Sequence, residues 1–98
     1  MNRTEHLLTC LMEECSEIQK VVAKALRFGL DDHAPDTTEK NSESISGEIV
    51  DLLAIIEMLE ERNIIPILKT PELIQQKKGK VLKYMEYAKE QGTLSGDE

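Results

Sequence analysis

A chain of 98 residues with a formal net charge of −7 supports one hydrophobic core and not two. Its acidity excludes the basic face that nucleic-acid backbones and anionic membranes require, so neither a nucleic-acid polymer nor a membrane is an expected partner. Aromatic residues make up only 3% of the chain, which leaves Leu, Ile, Val and Met to build the core.

The first element is a helix expected from about Thr4, as N-cap, to about Phe28. Leu8, Leu11, Cys15, Ile18, Val22 and Ala25 recur at alternating spacings of three and four, the mark of one helix face. Gly29 suits the position just past the helix, and Arg27 in the last turn complements the helix dipole. Cys10 and Cys15 are five apart on this helix and point in different directions, so neither a disulfide nor a zinc motif is expected. Cys15 reads as a small buried hydrophobe, and unpaired cysteines point to a reducing, cytoplasmic setting. Met1 to Glu5 leads into no signal peptide. Leu30 to Asn41 is a polar connection with the turn formers Asp31, Asp32, Pro35 and Asp36, read either as a plain connector or as a cover over a site.

A second helix is expected from Ser42 or Ser44 to Arg62, with Ile45, Ile49, Leu52, Ile56 and Leu59 as its seam. Val50, Leu53, Ala54, Ile55 and Met58 fill most of the remaining circumference. The stretch Ile49 to Leu59 is too short to span a bilayer. A helix apolar nearly all round is buried on several sides, and three helices of one small chain do not surround it. A second subunit is therefore expected to cover it by a symmetric helix-to-helix contact. Asn63 to Thr70 is a short irregular link. Thr70 as N-cap and Pro71 at the first helical position open a third helix that runs to about Gln91. Leu73, Ile74, Val81, Leu82, Met85 and Ala88 form its apolar side, Gly79 weakens it by about 1 kcal/mol relative to Ala, and Gly92 ends it. The expected fold is all-α: a helical bundle of two long antiparallel helices plus a C-terminal helix, completed by oligomerisation into a four-helix-type core. Residues 1–94 are expected to form a single domain, with 95–98 a disordered tail.

The chemistry-bearing feature is a pair of acidic claws, Glu14 with Glu17 and Glu48 with Asp51. Residues three apart on a helix lie about 60° apart around the axis, so each pair occupies one face. Both pairs flank an apolar seam and so face a partner helix. Four clustered carboxylates repel one another and lose hydration, and a hard divalent cation such as Mg²⁺ relieves both costs. The competing reading is that these acids turn outward or pair with lysines. Glu57 with Glu60 has the same spacing and reads as a solvated face. No Glu is followed by His three residues later, against a bundle di-iron site, and His6 and His33 lack zinc-ligand spacing. Lys77, Lys80 and Tyr84 share a face of the third helix by i, i+3, i+7 spacing. They are candidates for meeting phosphate oxygens, against the plainer reading of a solubilising basic face. Phe28, Tyr84 and Tyr87 are the only phenylalanine and tyrosine rings of the chain, available either for stacking on a planar ligand or, for Phe28, equally for the core.

Glu13-Glu14-x-x-Glu17, a connection, and then Glu48-x-x-Asp51 followed by Leu52-Leu53-Ala54-Ile55-Ile56 resembles the all-α nucleoside triphosphate pyrophosphohydrolases. That superfamily includes MazG and its relatives, the dimeric dUTPases and the phosphoribosyl-ATP pyrophosphohydrolases. The resemblance spans about residues 5 to 60 and is greatest to the short MazG-like proteins. It implies a Mg²⁺-dependent hydrolase, with Mn²⁺ as a substitute, that cleaves a nucleoside triphosphate between the α and β phosphates in a nucleotide-pool or housecleaning role. Glu14, Glu17, Glu48 and Asp51 would be the metal ligands, and Glu13 would orient the site or the attacking water. Arg27, Lys77, Lys80 and Tyr84 would bind phosphate, and the assembly would be a homodimer or a dimer-of-dimers tetramer. Hydrolysis of phosphoribosyl-ATP, and a catalytically silent helical interaction protein, are the alternatives.

Overall fold

The computed structural model describes residues 1–95; the expected tail beyond Ser95 lies outside the described residues. Three helices make up the fold: α1 (Arg3–Phe28), α2 (Asn41–Glu61) and α3 (Pro71–Glu90). No strand occurs among the described residues, so the chain is all-α, as its patterning predicts. It divides into two compact units, Met1–Pro66 and Ile67–Glu98.

In the first unit α1 and α2 pack on each other. The helix start falls two residues earlier than expected. Asn2, not Thr4, is the N-cap: its side chain accepts the Glu5 N–H at 2.8 Å while the Glu5 carboxylate accepts the Asn2 N–H at 3.2 Å. This reciprocal box satisfies two otherwise free amides, whereas Thr4 has Leu7 at the matching offset and can form no such box. At the other end Gly29 (φ 99°) leaves the helix, and its N–H donates to the Ala25 carbonyl at 2.7 Å.

The connection between the helices is pinned rather than loose. The Asn41 and Ser42 N–H groups donate to the Asp32 and Leu30 carbonyls at 2.8 and 2.9 Å, and the buried Asn41 side chain donates to the Gly29 carbonyl at 2.8 Å. The start of α2 is thereby tied to the end of α1, so the helices run antiparallel. α2 closes on Asn63, whose φ of 56° is the left-handed conformation that Asn tolerates better than most residues. The Ile64 and Asn63 N–H groups donate back to the Leu59 and Glu60 carbonyls, both at 3.0 Å, which completes a Schellman-type stop.

Half of the expected seam packs as apolar spacing selects it, Leu11, Ile18 and Ala25 on α1 and Ile45, Leu52 and Leu59 on α2, while the positions between them shift by one residue. Leu7, Leu11, Glu14, Ile18, Val21 and Ala25 are the buried and half-buried positions along α1 from Leu7 to Ala25 that keep the alternating four–three spacing. On α2 the matching row is Asn41, Ile45, Glu48, Leu52, Ile55 and Leu59. Leu59 is 1% exposed and Leu7 6%. Each seam thus carries one acid near its middle. The expected seam members Leu8, Cys15 and Val22 are instead exposed, as is Ile49 on α2, and the reading of Cys15 as a buried hydrophobe is corrected. The doublets Leu7-Leu8, Val21-Val22 and Ile55-Ile56 make both registers equally apolar at those points. The acids, which a search for apolar periodicity passes over, occupy the register that packs. Glu60, expected on a solvated face with Glu57, is half-buried.

One residue along a helix is a rotation of about 100°. The positions that follow the seam residues therefore form a second stripe, interrupted by Gln19 on α1 and by Ser42, Ser46 and Glu60 on α2, whose exposed apolar members are Leu8, Met12, Cys15, Val22 and Leu26 on α1 and Ile49 and Leu53 on α2. In an antiparallel pair, the same sense of rotation about each helix's own axis leads to the same side of the pair. These residues make a single apolar face of the hairpin. The preceding positions on α1, Glu13, Glu17, Lys20 and Lys24, are charged and exposed, whereas on α2 they include Gly47, Ala54 and Met58 beside Asp51.

In the second unit Thr70 caps α3 as expected, its hydroxyl oxygen accepting the Leu73 N–H at 3.2 Å, with Pro71 at the first position. Gly92 (φ 79°) ends the helix. The Thr93 and Gly92 N–H groups donate to the Ala88 and Lys89 carbonyls at 2.9 and 3.1 Å, a second Schellman-type stop. No residue of α3 is buried.

Candidate metal centre

The two acids within the seams meet. Glu14 from α1 and Glu48 and Asp51 from α2 each offer one carboxylate oxygen, and these oxygens lie within 4.8 Å of one another. Glu14 and Glu48 are half-buried because they stand in the packing row, and Asp51 is exposed. The i, i+3 spacing brings Glu48 and Asp51 to the same place, and the antiparallel pairing brings Glu14 to both.

Electrostatics register this convergence. The Glu14 carboxyl is held above its ordinary value of 4.5, first by loss of hydration, then by the charges of Asp51, Glu48, Glu17 and Glu13 in that order. Every one of these influences disfavours the ionised form, and no lysine or arginine is among them. Glu13 and Glu17 are exposed. They act on Glu14 through space, and the compact trio does not include them.

The donor set fits a hard divalent cation. All three ligands are carboxylate oxygens, with no thiolate or imidazole to favour zinc. Opposite ligands around Mg²⁺ stand about 4.2 Å apart. Three oxygens within 4.8 Å of one another are close enough for one ion to be shared among them once the side chains draw together. Water or phosphate oxygens would complete the shell, as is usual for Mg²⁺.

The expected phosphate-binding groups fall in two places. Arg27 sits in the last turn of α1 with its guanidinium 4.9 Å from the centre of the Phe28 ring, a cation–π contact that ties the two side chains together. Lys77, Lys80 and Tyr84 do share a face of α3, where with Val81, Met85 and Leu94 they line a groove of the second unit. No protein-family model matches the chain, and neither the curated proteins nor the solved structures contain a match.

Proposed function

We propose that this protein is a Mg²⁺-dependent nucleoside triphosphate pyrophosphohydrolase, with the cation held by Glu14, Glu48 and Asp51 and the ligand set extended by Glu17. The observation that carries this reading is that Glu14 and Glu48 stand at the middle of the two packing rows, where leucine or isoleucine would give more stability, and meet there the exposed carboxylate of Asp51. Acids at such positions cost free energy unless a cation or a proton neutralises them. The chemistry proposed is the one implied by the resemblance of the EExxE and ExxD pattern to the all-α pyrophosphohydrolases.

A divalent cation bound there supplies Lewis acidity toward phosphoryl oxygens and toward water. The protein's own groups do the rest. Glu14, Glu48 and Asp51 hold the charge in place from two helices pinned by the Asn41 bonds. Glu13, one residue round the helix from Glu14, is the proposed group for orienting the attacking water, and a carboxylate of the cluster accepts its proton. Arg27, Lys77, Lys80 and Tyr84 are proposed as phosphate-binding groups by residue type alone: Arg27 stands thirteen residues from Glu14 on α1, about 20 Å along the axis, and the other three belong to the second unit. The exposed stripe of Leu8, Met12, Val22, Leu26, Ile49 and Leu53 is the proposed contact with a second copy, making a homodimer or a dimer of dimers with a four-helix-type core.

The deciding experiment is a pyrophosphate-release screen over nucleoside triphosphates and phosphoribosyl-ATP, with and without Mg²⁺ or Mn²⁺. Metal-dependent pyrophosphate release from a nucleoside triphosphate supports the reading, and turnover of phosphoribosyl-ATP alone reassigns the substrate. No product, together with no metal-induced change in melting temperature, leaves a helical interaction protein whose exposed apolar stripe is its working surface.

A further inference from the structure

A pocket of about 460 Å³ opens where α1 turns into α2, lined by Lys24, Phe28, Asp32, His33, Ala34 and Pro35. We infer that this pocket is a separate binding site for a planar heteroaromatic ring that carries an anionic group, the chemistry of a nucleoside monophosphate. Its size is that of a small-molecule site. Phe28 is the only phenylalanine of the chain, and it is 54% exposed rather than packed in the core. The Arg27 guanidinium, 4.9 Å from the ring centre, orients it. An oriented, exposed ring beside a proline is a stacking platform, worth about 1–3 kcal/mol for a bound base.

The polar lining supplies the rest of the ligand's description. The His33 Nδ1 lies 2.9 Å from the Ala34 carbonyl oxygen; in the tautomer that donates from Nδ1, Nε2 is left as an acceptor. Nε2 and the Asp32 carboxylate suit the N–H donors of an amino-bearing ring. Lys24 suits the anion. Together with Lys20 and Arg27 it makes the second half of α1 basic, in a unit otherwise rich in acids. The walls are set by the same bonds that pin the connection, since Asn41 also borders the pocket.

This inference does not rest on the metal reading. Lys24 is ten residues from Glu14 on one helix, about 15 Å along its axis, so the pocket can be examined with the carboxylates stripped of cations. The test is a titration of the protein in excess chelator with adenosine and cytidine 5′-monophosphates, adenosine and inorganic phosphate, followed by NMR of the His33 and Phe28 ring signals. Saturable shifts of both rings with at least one monophosphate, weaker shifts with adenosine and none with phosphate are expected. Lys24→Gln should weaken monophosphate binding several-fold toward that of adenosine. Phe28→Leu should abolish it with an unchanged helical CD spectrum. Silence of both rings toward both monophosphates, an equal response to phosphate alone, or an undiminished response in Phe28→Leu overturns the assignment. A metal-induced melting shift that persists in Phe28→Leu shows that the two sites stand or fall separately.

Discussion

The middle of the α1–α2 seam and its two ends obey different rules. At one end Leu7 and Leu59 are buried apolar residues. At the other, Ala25 is buried and the buried Asn41 has its amide satisfied by the Gly29 carbonyl. Both ends follow the usual logic of a folded interior. The middle breaks it, with Glu14 and Glu48 meeting beside Asp51 and no lysine or arginine among the influences on Glu14. The ends hold the hairpin together, and the stability they provide is what allows a repulsive cluster to persist at its centre.

This contrast can be broken at several points. The largest effect is expected at the centre and in activity: Glu48→Gln or Asp51→Asn should abolish hydrolysis while leaving the helical CD signal intact. Full turnover by both variants would refute the ligand assignment. The largest effect on stability is expected at an end. Leu59→Ala should cost about 2–5 kcal/mol in denaturant unfolding, the usual range for emptying a fully buried leucine site.

Glu14→Gln should act in the opposite direction in chelator. It removes a charge that the fold disfavours, so the metal-free protein should melt at a higher temperature, and the stabilisation by Mg²⁺ should shrink or vanish. A variant that melts lower in chelator than the parent would contradict the repulsive description. The pH dependence follows the same sign. The folded protein holds the Glu14 proton more tightly than the unfolded chain does. Below the ordinary value of 4.5 Glu14 therefore imposes no penalty, and stability declines as pH rises through 4.5 and through the elevated value of the folded state. Urea midpoints in chelator across this range should lose part of their slope in Glu14→Gln.

The smallest thermodynamic effect on the single chain is expected on the apolar face. Leu26 is 83% exposed and Leu53 52%, so Leu26→Lys or Leu53→Lys should change the chain's intrinsic stability by no more than about 0.5 kcal/mol. Their effect belongs to assembly: light scattering should show a dimer or tetramer for the parent and a lower mass for the variants. A monomeric parent at micromolar concentration would remove the proposed partner.

Much of the fold was open to reading from residues alone. Thr70-Pro71, Gly29 and Gly92 punctuate the helices by rules that depend on a few neighbouring atoms, and no membrane-length apolar helix occurs among the described residues. Local chemistry missed where competing local signals were close in strength. Thr4 lost to Asn2 because only Asn2 has a Glu three residues on. Alternate seam positions on α1 fell one residue off because Leu7-Leu8 and Val21-Val22 satisfy either register, while Leu11, Ile18 and Ala25 held. The pocket around Phe28 and His33 left no periodic signal, because a connection and two helix ends assemble it.

By itself, the sequence determined that this chain is helical, where each helix stops, and that Glu14, Glu17, Glu48 and Asp51 lie in spaced acidic pairs. These are matters of dihedral preference and of the 3.6-residue turn. Only the tertiary structure decided which register faces inward, and with it that Glu14 and Glu48 meet while Leu8, Cys15 and Ile49 turn outward. Burial belongs to a pair of helices and not to either one. Where both faces of a helix are nearly as apolar, the partner's position selects the face, and here it selects the one with an acid at its centre.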